Sequence, residues 1–182
     1  MLRVESSNRP VEKSSAMSIA RSYRIVRLLL AFFMFGLVTA GLTAFPLIIE
    51  INILERVIGE GSFVETIWPD MSRWISLVHQ GLNEVNDKYP FMFYGTDWLG
   101  FAHIMIAISF IGPLRDPVRN IWVVEFGMLA CLLLIPLALI CGPIRGIPFF
   151  WTIIDASFGV FGLVPLVIAY RSIKRIMVLE QQ

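Results

Sequence analysis

The sequence predicts an all-α integral membrane protein: a four-helix bundle with an extracytoplasmic amphipathic helix between spans one and two. Its composition is typical of a membrane protein, because 57% of the 182 residues are hydrophobic and only 16% are charged. A soluble domain has about 45–50% apolar and about 25% charged residues. Two further observations support this class: the apolar residues are concentrated in long blocks, and the basic residues gather on one side of those blocks.

Four apolar blocks are long enough to cross a bilayer, whose hydrocarbon core of about 30 Å needs roughly 20 helical residues. The predicted spans cover about residues 28–49, 98–114, 121–141 and 147–170. They form a transmembrane domain over residues 25–170, which lies between a polar tail at residues 1–24 and a basic tail at residues 171–182.

The distribution of lysine and arginine predicts the orientation of the spans. Eleven of the 15 Lys and Arg residues lie before span one, between spans two and three, or after span four. The other side holds Arg56, Arg73, Lys88 and Arg145. By the positive-inside rule both tails are cytoplasmic, and the segment 50–97 is external.

Span one carries small residues at every fourth position, namely Gly36, Ala40 and Ala44. They share one helix face and would let another helix approach closely. The pattern predicts helix packing, but it does not say whether the partner lies in this chain or in another. A cleaved signal peptide is the alternative for this block, and it is disfavoured because the uncharged run of about 22 residues exceeds the usual length of about 7–15.

The external segment 50–97 is too long for a plain loop. From Asp70 to Lys88 apolar residues recur at steps of three and four, which predicts a helix with one apolar face. Pro69 and Asp70 are suitable start signals, and Pro90 ends the helix. We expect this helix to lie on the outer membrane surface or to cover the mouth of the bundle as a lid, unless it is only a linker.

Two short connections predict that spans two, three and four are antiparallel neighbours. Residues 115–120, RDPVRN, form the cytoplasmic turn, and residues 142–148, GPIRGIP, form the external turn. The glycines Gly127, Gly159 and Gly162 within spans three and four are predicted to be helix-contact positions.

Ionisable residues inside spans indicate functional sites, because each costs at least about 2.5–3.5 kcal/mol at the bilayer centre. His103 and Asp155 both lie roughly 7 Å below the outer boundary at about 1.5 Å per residue. Arg145 would reach in from its turn, with Asp97 or Tyr94 at the rim. We name these five residues the outer polar cluster.

Two interpretations of the outer polar cluster stay open. In the first, Arg145 and Asp155 form an ion pair that holds spans three and four together. In the second, the cluster is an outward-facing pocket in which Arg145 binds an anionic group while His103 and Asp155 exchange a proton.

A second polar group is predicted at the inner face. Glu125 lies about five residues into span three from the cytoplasmic side, roughly 15 Å from the outer cluster in depth. We expect it to meet Arg115, Arg119 or Arg171. No catalytic residue or metal site is predicted, because the chain has no Ser-His-Asp order, Gly-rich phosphate loop or Cys-x-x-Cys motif.

Four stretches form recognisable motifs: GLTAFP (41–46), YGTDWLGFAHI (94–104), IGPLRDPVRNIW (111–122) and GPIRGIPFFWTIIDASFGVFG (142–162). Through them the chain resembles, over roughly residues 25–170, an uncharacterised family of small bacterial inner-membrane proteins. The resemblance implies a bacterial cytoplasmic membrane, and it implies no activity, substrate, cofactor or functional residue.

Three classes of function stay open. The favoured one is a non-enzymatic membrane protein or accessory subunit that packs against a second copy or a larger complex. The second is a small oligomeric transporter or proton-linked permease that uses the outer polar cluster and Glu125. The third is a membrane enzyme acting on a lipid or quinone head group. We expect the bilayer as a partner and expect no cofactor and no nucleic acid, while the pattern identifies no small-molecule ligand.

Overall fold

A computed structural model describes the backbone of residues 9–181 and the side chains of residues 17–181. This part of the chain is helical and contains no β-strand. Besides a 3-10 helix at Pro90–Phe93, its helices are α1 (Arg9–Thr43), α2 (Leu47–Ile58), α3 (Phe63–Ile67), α4 (Pro69–Lys88), α5 (Tyr94–Ser109), α6 (Ile111–Arg115), α7 (Ile121–Ile144) and α8 (Phe149–Glu180).

The predicted all-helical chain with four long apolar segments is confirmed. Among the described residues, four segments are long and apolar enough to cross a membrane: Met17–Thr43, Pro90–Arg115, Ile121–Ile144 and Phe149–Glu180. The chain divides into two compact units. The terminal unit is the described part of Met1–Phe35 and Ile108–Gln182, and the middle unit is Gly36–Ala107.

The first apolar helix differs from its predicted bounds at both ends. It ends at Thr43 rather than near residue 49, because Pro46 lacks an N–H and disfavours helical backbone at the residue before it. At its other end the helix already includes Arg9, within the predicted polar tail 1–24. No proline or glycine interrupts residues 11–35, so nothing in the sequence stops the helix there. Residues 1–8 of that tail lie outside the described part.

In the terminal unit, α7 and α8 pack against each other through glycines. A Cβ atom at position 159 would lie 2.5 Å from the carbonyl oxygen of Cys131, and one at position 162 would lie 2.8 Å from its Sγ. A Cβ atom at Gly127 would lie 2.6 Å from the ring of Phe110. The prediction that these three glycines are helix-contact positions is confirmed.

The turn GPIRGIP joins α7 to α8 by a Schellman motif. The N–H of Gly146 donates to the carbonyl of Pro143, and the N–H of Ile147 donates to that of Gly142, which satisfies the last carbonyls of α7. Gly146 has φ of +70°, a left-handed conformation that glycine adopts at little cost. A Cβ atom at Gly142 would lie 2.5 Å from Oγ1 of Thr152, so the two helices begin to pack directly at the turn.

The turn RDPVRN before α7 is closed by side chains. Asn120 donates from Nδ2 to the carbonyl of Asp116 at 2.9 Å, and Oδ1 of Asp116 accepts the N–H of Arg119 at 3.0 Å. The break between α5 and α6 at Phe110 lies just before Pro113. Proline at that position removes the hydrogen bond to residue 109 and therefore interrupts the helix.

In the middle unit, α1 and α5 approach each other closely at Gly41 and Gly100, and of the predicted face of Gly36, Ala40 and Ala44 only Ala44 lies at this contact. A Cβ atom at Gly100 would lie 2.7 Å from the carbonyl oxygen of Gly41 and 3.2 Å from Cβ of Ala44. A Cβ atom at Gly36 would have no neighbour within 4 Å. The role of Gly36 and Ala40 in packing therefore stays a prediction.

Gly159→Ala tests the close packing of α7 and α8. The added methyl group would clash with a backbone carbonyl, so the helices must separate, and overpacking of this kind costs about 1–3 kcal/mol. We expect the midpoint of thermal unfolding in detergent to fall by several degrees. Gly36→Ala is the matched control with open space around it, and an equal loss of stability in both variants would contradict the packing described.

Candidate functional site

The five residues of the outer polar cluster are divided between the two units. Tyr94, Asp97 and His103 lie on α5 in the middle unit. Arg145 follows the last residue of α7, and Asp155 lies on α8, both in the terminal unit. Each group is therefore described within its own unit.

The three residues on α5 do not share one face. Tyr94 and Asp97 are three positions apart and lie side by side, whereas His103 is six positions beyond Asp97, about 240° around the helix axis. His103 Nδ1 donates to the carbonyl oxygen of Leu99 at 2.8 Å. Tyr94 makes an edge contact with the ring of Trp98, with centroids 5.8 Å apart. On α5 alone, these groups form two separate polar positions.

Arg145 and Asp155 do not form the ion pair that would hold α7 and α8 together. Across the part of the chain that the structure describes, the ion pairs within 4.0 Å are Asp70–Arg73 and Glu84–Lys88. Arg145 is exposed and its side chain makes no hydrogen bond among those residues. It caps the end of α7, while Asp155 lies six residues into α8, about 9 Å along the axis. A pocket at these residues stays a prediction.

Asp155 lies at the rim of the contact between α7 and α8. It shares a helix face with Thr152 and Gly159, which are both buried. On its other side is Phe158, which is 63% exposed. The carboxylate is partly exposed and has no hydrogen-bond or ion-pair partner among residues 17–181. An unpaired acid on an apolar helix is a feature that ordinary packing does not account for.

The residues of the predicted inner polar group do not pair either. Glu125 is exposed on α7, and Arg115, Arg119 and Arg171 are exposed as well. None of the three guanidinium groups lies within 4.0 Å of the Glu125 carboxylate in the described structure. Exposed pairs of long side chains gain little from association, so this arrangement has no energetic penalty in water.

A cluster that the sequence analysis missed joins α2 to α4 in the middle unit. We name it the polar seam, and its members are Asn52, Glu55, Ser72, Ser76, His79 and Asn83. At one end Ser76 Oγ donates to the Glu55 carboxylate at 2.8 Å and accepts the N–H of Glu60 at 2.9 Å. Ser72 Oγ donates to the carbonyl oxygen of Ile58. This end of α2 is therefore fastened to α4 by polar contacts.

The other end of the polar seam is centred on Asn52. His79 Nε2 donates to Oδ1 of Asn52 at 2.9 Å, and Asn83 Nδ2 donates to the same oxygen at 3.2 Å. Asn83 also donates to the carbonyl of His79 at 2.9 Å. The seam is made of side chains that satisfy one another, which indicates a structural role rather than a reactive site.

The sequence contained a signal for the polar seam. Its members on α4 recur at positions 72, 76, 79 and 83, which are steps of four and three and mark one helix face. The helix that carries the other half of the seam, α2, was not predicted because its first residues continue the apolar block of span one. Pro46 was the indication that a new helix begins.

On α4, an ion pair between Glu84 and Lys88 shifts the pKa of both groups. The Lys88 ammonium, 2.5 Å from the Glu84 carboxylate, lowers the pKa of that carboxyl, and the carboxylate raises the pKa of Lys88. Both side chains are exposed, so the pair contributes little to stability. In addition, no three His, Cys, Asp or Glu side chains among the described residues lie close enough to hold a metal ion.

Comparison with known proteins gives no family assignment: no family model, curated protein or solved structure matches the chain. The resemblance to small bacterial inner-membrane proteins therefore stays a prediction. The structure gives the positions of the residues discussed above, and the functional argument that follows rests on their physical chemistry.

Ser76→Ala tests the polar seam. The change removes the hydrogen bonds that Ser76 makes with the Glu55 carboxylate and with the N–H of Glu60. Both partners are at least partly exposed and can bind water, so each lost bond costs about 0.5–1.5 kcal/mol. We expect faster amide hydrogen exchange in α2 and at Glu60, with a lower midpoint of thermal unfolding.

Ser172→Ala is the matched control for Ser76→Ala. Ser172 donates to the carbonyl of Ile168 on its own helix and is not part of the seam. If both variants change exchange in α2 equally, or if neither does, the seam does not fasten α2 to α4.

Proposed function

We propose that the chain is a four-span protein of a bacterial cytoplasmic membrane, with both termini in the cytoplasm. It acts without catalysis, as a component of a larger membrane assembly. The observation that carries the proposal is the Asp155 carboxylate, which has no partner among the described residues and lies in the apolar part of α8.

The surface of the candidate spans supports the membrane part of the proposal. On α7, Leu133, Leu137 and Ile140 recur at steps of four and three and are 56%, 61% and 61% exposed. On α8, Phe158 and Phe161 are 63% and 71% exposed. Apolar faces of this extent favour lipid or another apolar helix over water. The helical backbone satisfies its own hydrogen bonds, as a bilayer requires.

The assembly part of the proposal follows from Asp155. A carboxylate at this position costs several kcal/mol in hydrocarbon unless it is paired, protonated or hydrated. Its flank at Phe158 is open to another helix. A basic or hydrogen-bonding side chain from that helix would pair with Asp155 and bring association energy with it. Arg145 of a second copy is one candidate, because it is exposed and forms no ion pair among the described residues.

The middle unit supports an external location for the segment between the first two spans. α2 follows the first candidate span after a turn at residues 44–46. One face of α2 carries Ile49, Ile53 and Val57, which are 62%, 56% and 60% exposed, while its polar face meets α4 in the seam. We propose that α2 rests on the outer membrane surface and that α4 covers its polar side.

A second candidate function is a proton-linked permease. The observation that favours it is that Glu125, four residues after the start of α7, and Asp155, six residues after the start of α8, are both unpaired among the described residues. Because α7 and α8 are antiparallel neighbours, these acids lie toward opposite ends of one hairpin. Acids spaced through a bundle are typical of proton relays.

Cysteine labelling tests the orientation. In a background with Cys131 and Cys141 replaced by alanine, Glu60→Cys should react with a membrane-impermeant maleimide in intact spheroplasts, because residue 60 lies in the external segment. Lys174→Cys is the matched exposed position on the cytoplasmic side and should react only after lysis. The reverse pattern would overturn the proposed orientation.

Asp155→Asn tests the assembly. The amide keeps the shape of the side chain and removes its charge, so the charged contact to a partner helix is lost. We expect cross-linking between differently tagged copies, or recovery of a larger complex from membranes, to fall by about tenfold or more. The thermal stability of the isolated chain should not fall, since the carboxylate has no partner among the described residues.

Asp87→Asn is the control for Asp155→Asn, because Asp87 is an exposed acid on α4. It should leave association unchanged. If Asp155→Asn abolishes proton flux in proteoliposomes and leaves association intact, the permease is the correct function. If it changes neither property, both candidate functions are contradicted.

A further inference from the structure

A groove in the terminal unit lies along the middle of α1 and against the end of α6. Its volume is about 780 Å³, and its lining includes Tyr23, Arg24, Arg27, Leu28, Ala31 and Leu114. We name it the arginine groove. It is open on one side, and it uses none of the residues of the outer polar cluster, the inner polar group or the polar seam.

One end of the arginine groove is positively charged. Arg24 and Arg27 are three positions apart on α1, so their side chains lie on the same face. Both are exposed, and neither forms an ion pair among residues 17–181. No acidic residue is among its lining residues in the described part of the chain, although the Glu180 carboxylate accepts a hydrogen bond from the Tyr23 hydroxyl. Two free guanidinium groups side by side are suited to a phosphate, which they bind through paired hydrogen bonds.

The other end of the arginine groove is apolar. Leu28 and Ala31 continue the same face of α1 toward the apolar part of the helix, and Leu114 of α6 faces them. At the wall of the groove, the Tyr23 hydroxyl donates to Oε1 of Glu180 at 2.9 Å. The groove therefore passes from charged to apolar in the direction in which α1 enters the proposed membrane.

We propose that the arginine groove binds an anionic phospholipid of the cytoplasmic leaflet. Arg24 and Arg27 hold the phosphate, and the first part of an acyl chain lies along Leu28, Ala31 and Leu114. A volume of about 780 Å³ lies within the range of about 300–1,000 Å³ that is usual for small-molecule sites. A soluble phosphate would use the arginines only, so the apolar wall favours a lipid.

This inference rests on the proposed orientation, which places the start of α1 at the cytoplasmic surface. Anionic lipids give that surface a negative potential, and basic pockets beside transmembrane helices are suited to their head groups. The groove adds a defined position to that general attraction.

The test uses the full-length protein purified in detergent and stripped of lipid. Phosphatidylglycerol is titrated against phosphatidylcholine, and binding is followed by native mass spectrometry and by the midpoint of thermal unfolding. We expect phosphatidylglycerol to bind and stabilise the protein more than phosphatidylcholine does. Arg24→Gln combined with Arg27→Gln should weaken phosphatidylglycerol binding roughly 30-fold, from the usual contribution of two arginines.

The matched control is Arg119→Gln combined with Arg175→Gln, which removes the same charge from two exposed arginines outside the groove. It should leave phosphatidylglycerol binding near that of the unmodified protein. An equal loss in both double variants would show diffuse electrostatic attraction and would overturn the proposal.

Ala31→Phe supplies a test that keeps every charge. The larger side chain fills the apolar end of the groove and should weaken phosphatidylglycerol binding, while millimolar inorganic phosphate should not stabilise any variant. If Ala31→Phe binds the lipid normally, or if inorganic phosphate alone stabilises the protein as strongly as phosphatidylglycerol, no lipid site exists here.

The failure of this inference is separable from that of the proposed function. Reversed labelling at positions 60 and 174 would remove the orientation on which the lipid site depends. Correct labelling together with equal lipid binding by the two double variants would overturn the lipid site and leave the orientation standing.

Discussion

The close approach of α7 and α8 is the contact on which the terminal unit depends. In a chain whose helices expose long apolar faces, burial of apolar surface distinguishes poorly between a partner helix and lipid. Close packing must supply the specificity, and Gly142 and Gly159 allow it by leaving room for Thr152 and the carbonyl of Cys131. The Schellman turn at Gly146 reverses the chain direction, so that α8 packs antiparallel to α7 from the first turn of α8 onward.

That packing determines where Asp155 lies. Thr152 and Gly159 face α7, so the residue between them on the helix surface is brought to the rim of the interface. There it meets neither Arg145 nor any other described partner. A hairpin held together by glycines does not need an ion pair, which leaves the carboxylate available for another molecule. In the proposed membrane this makes α8 the helix most suited to association.

The sequence predicted the apolar helices well, because apolar runs of about 20 residues are a strong signal for helices long enough to cross a membrane. It also predicted the glycine contacts in α7 and α8 and the helix at Pro69–Lys88. It missed α2, because residues 47–49 continue the apolar block that was assigned to span one. Pro46 is the residue that separates this segment from the first helix. The sequence did not reveal the polar seam, since pairing between Asn52 and His79 depends on how α2 turns back on α4.

The outer polar cluster shows the limit of arguments from depth. His103 lies nine residues after the start of α5 and Asp155 six residues after the start of α8, and depth along a helix leaves the rotation of each side chain about the helix axis undetermined. Sequence spacing gives that rotation within one helix, as for Asp97 and His103 on α5. It does not give the rotation between helices, which follows from packing at positions such as Gly41 and Gly159.

The central claim is that Asp155 is a contact to another molecule in the membrane. The most direct test is an experimental structure of the protein extracted with its native lipids, at a resolution that shows what lies within 4 Å of the carboxylate. We predict a basic or hydrogen-bonding side chain from a second copy or another membrane protein. A carboxylate that meets only lipid chains, or only water within a single chain, would contradict the claim.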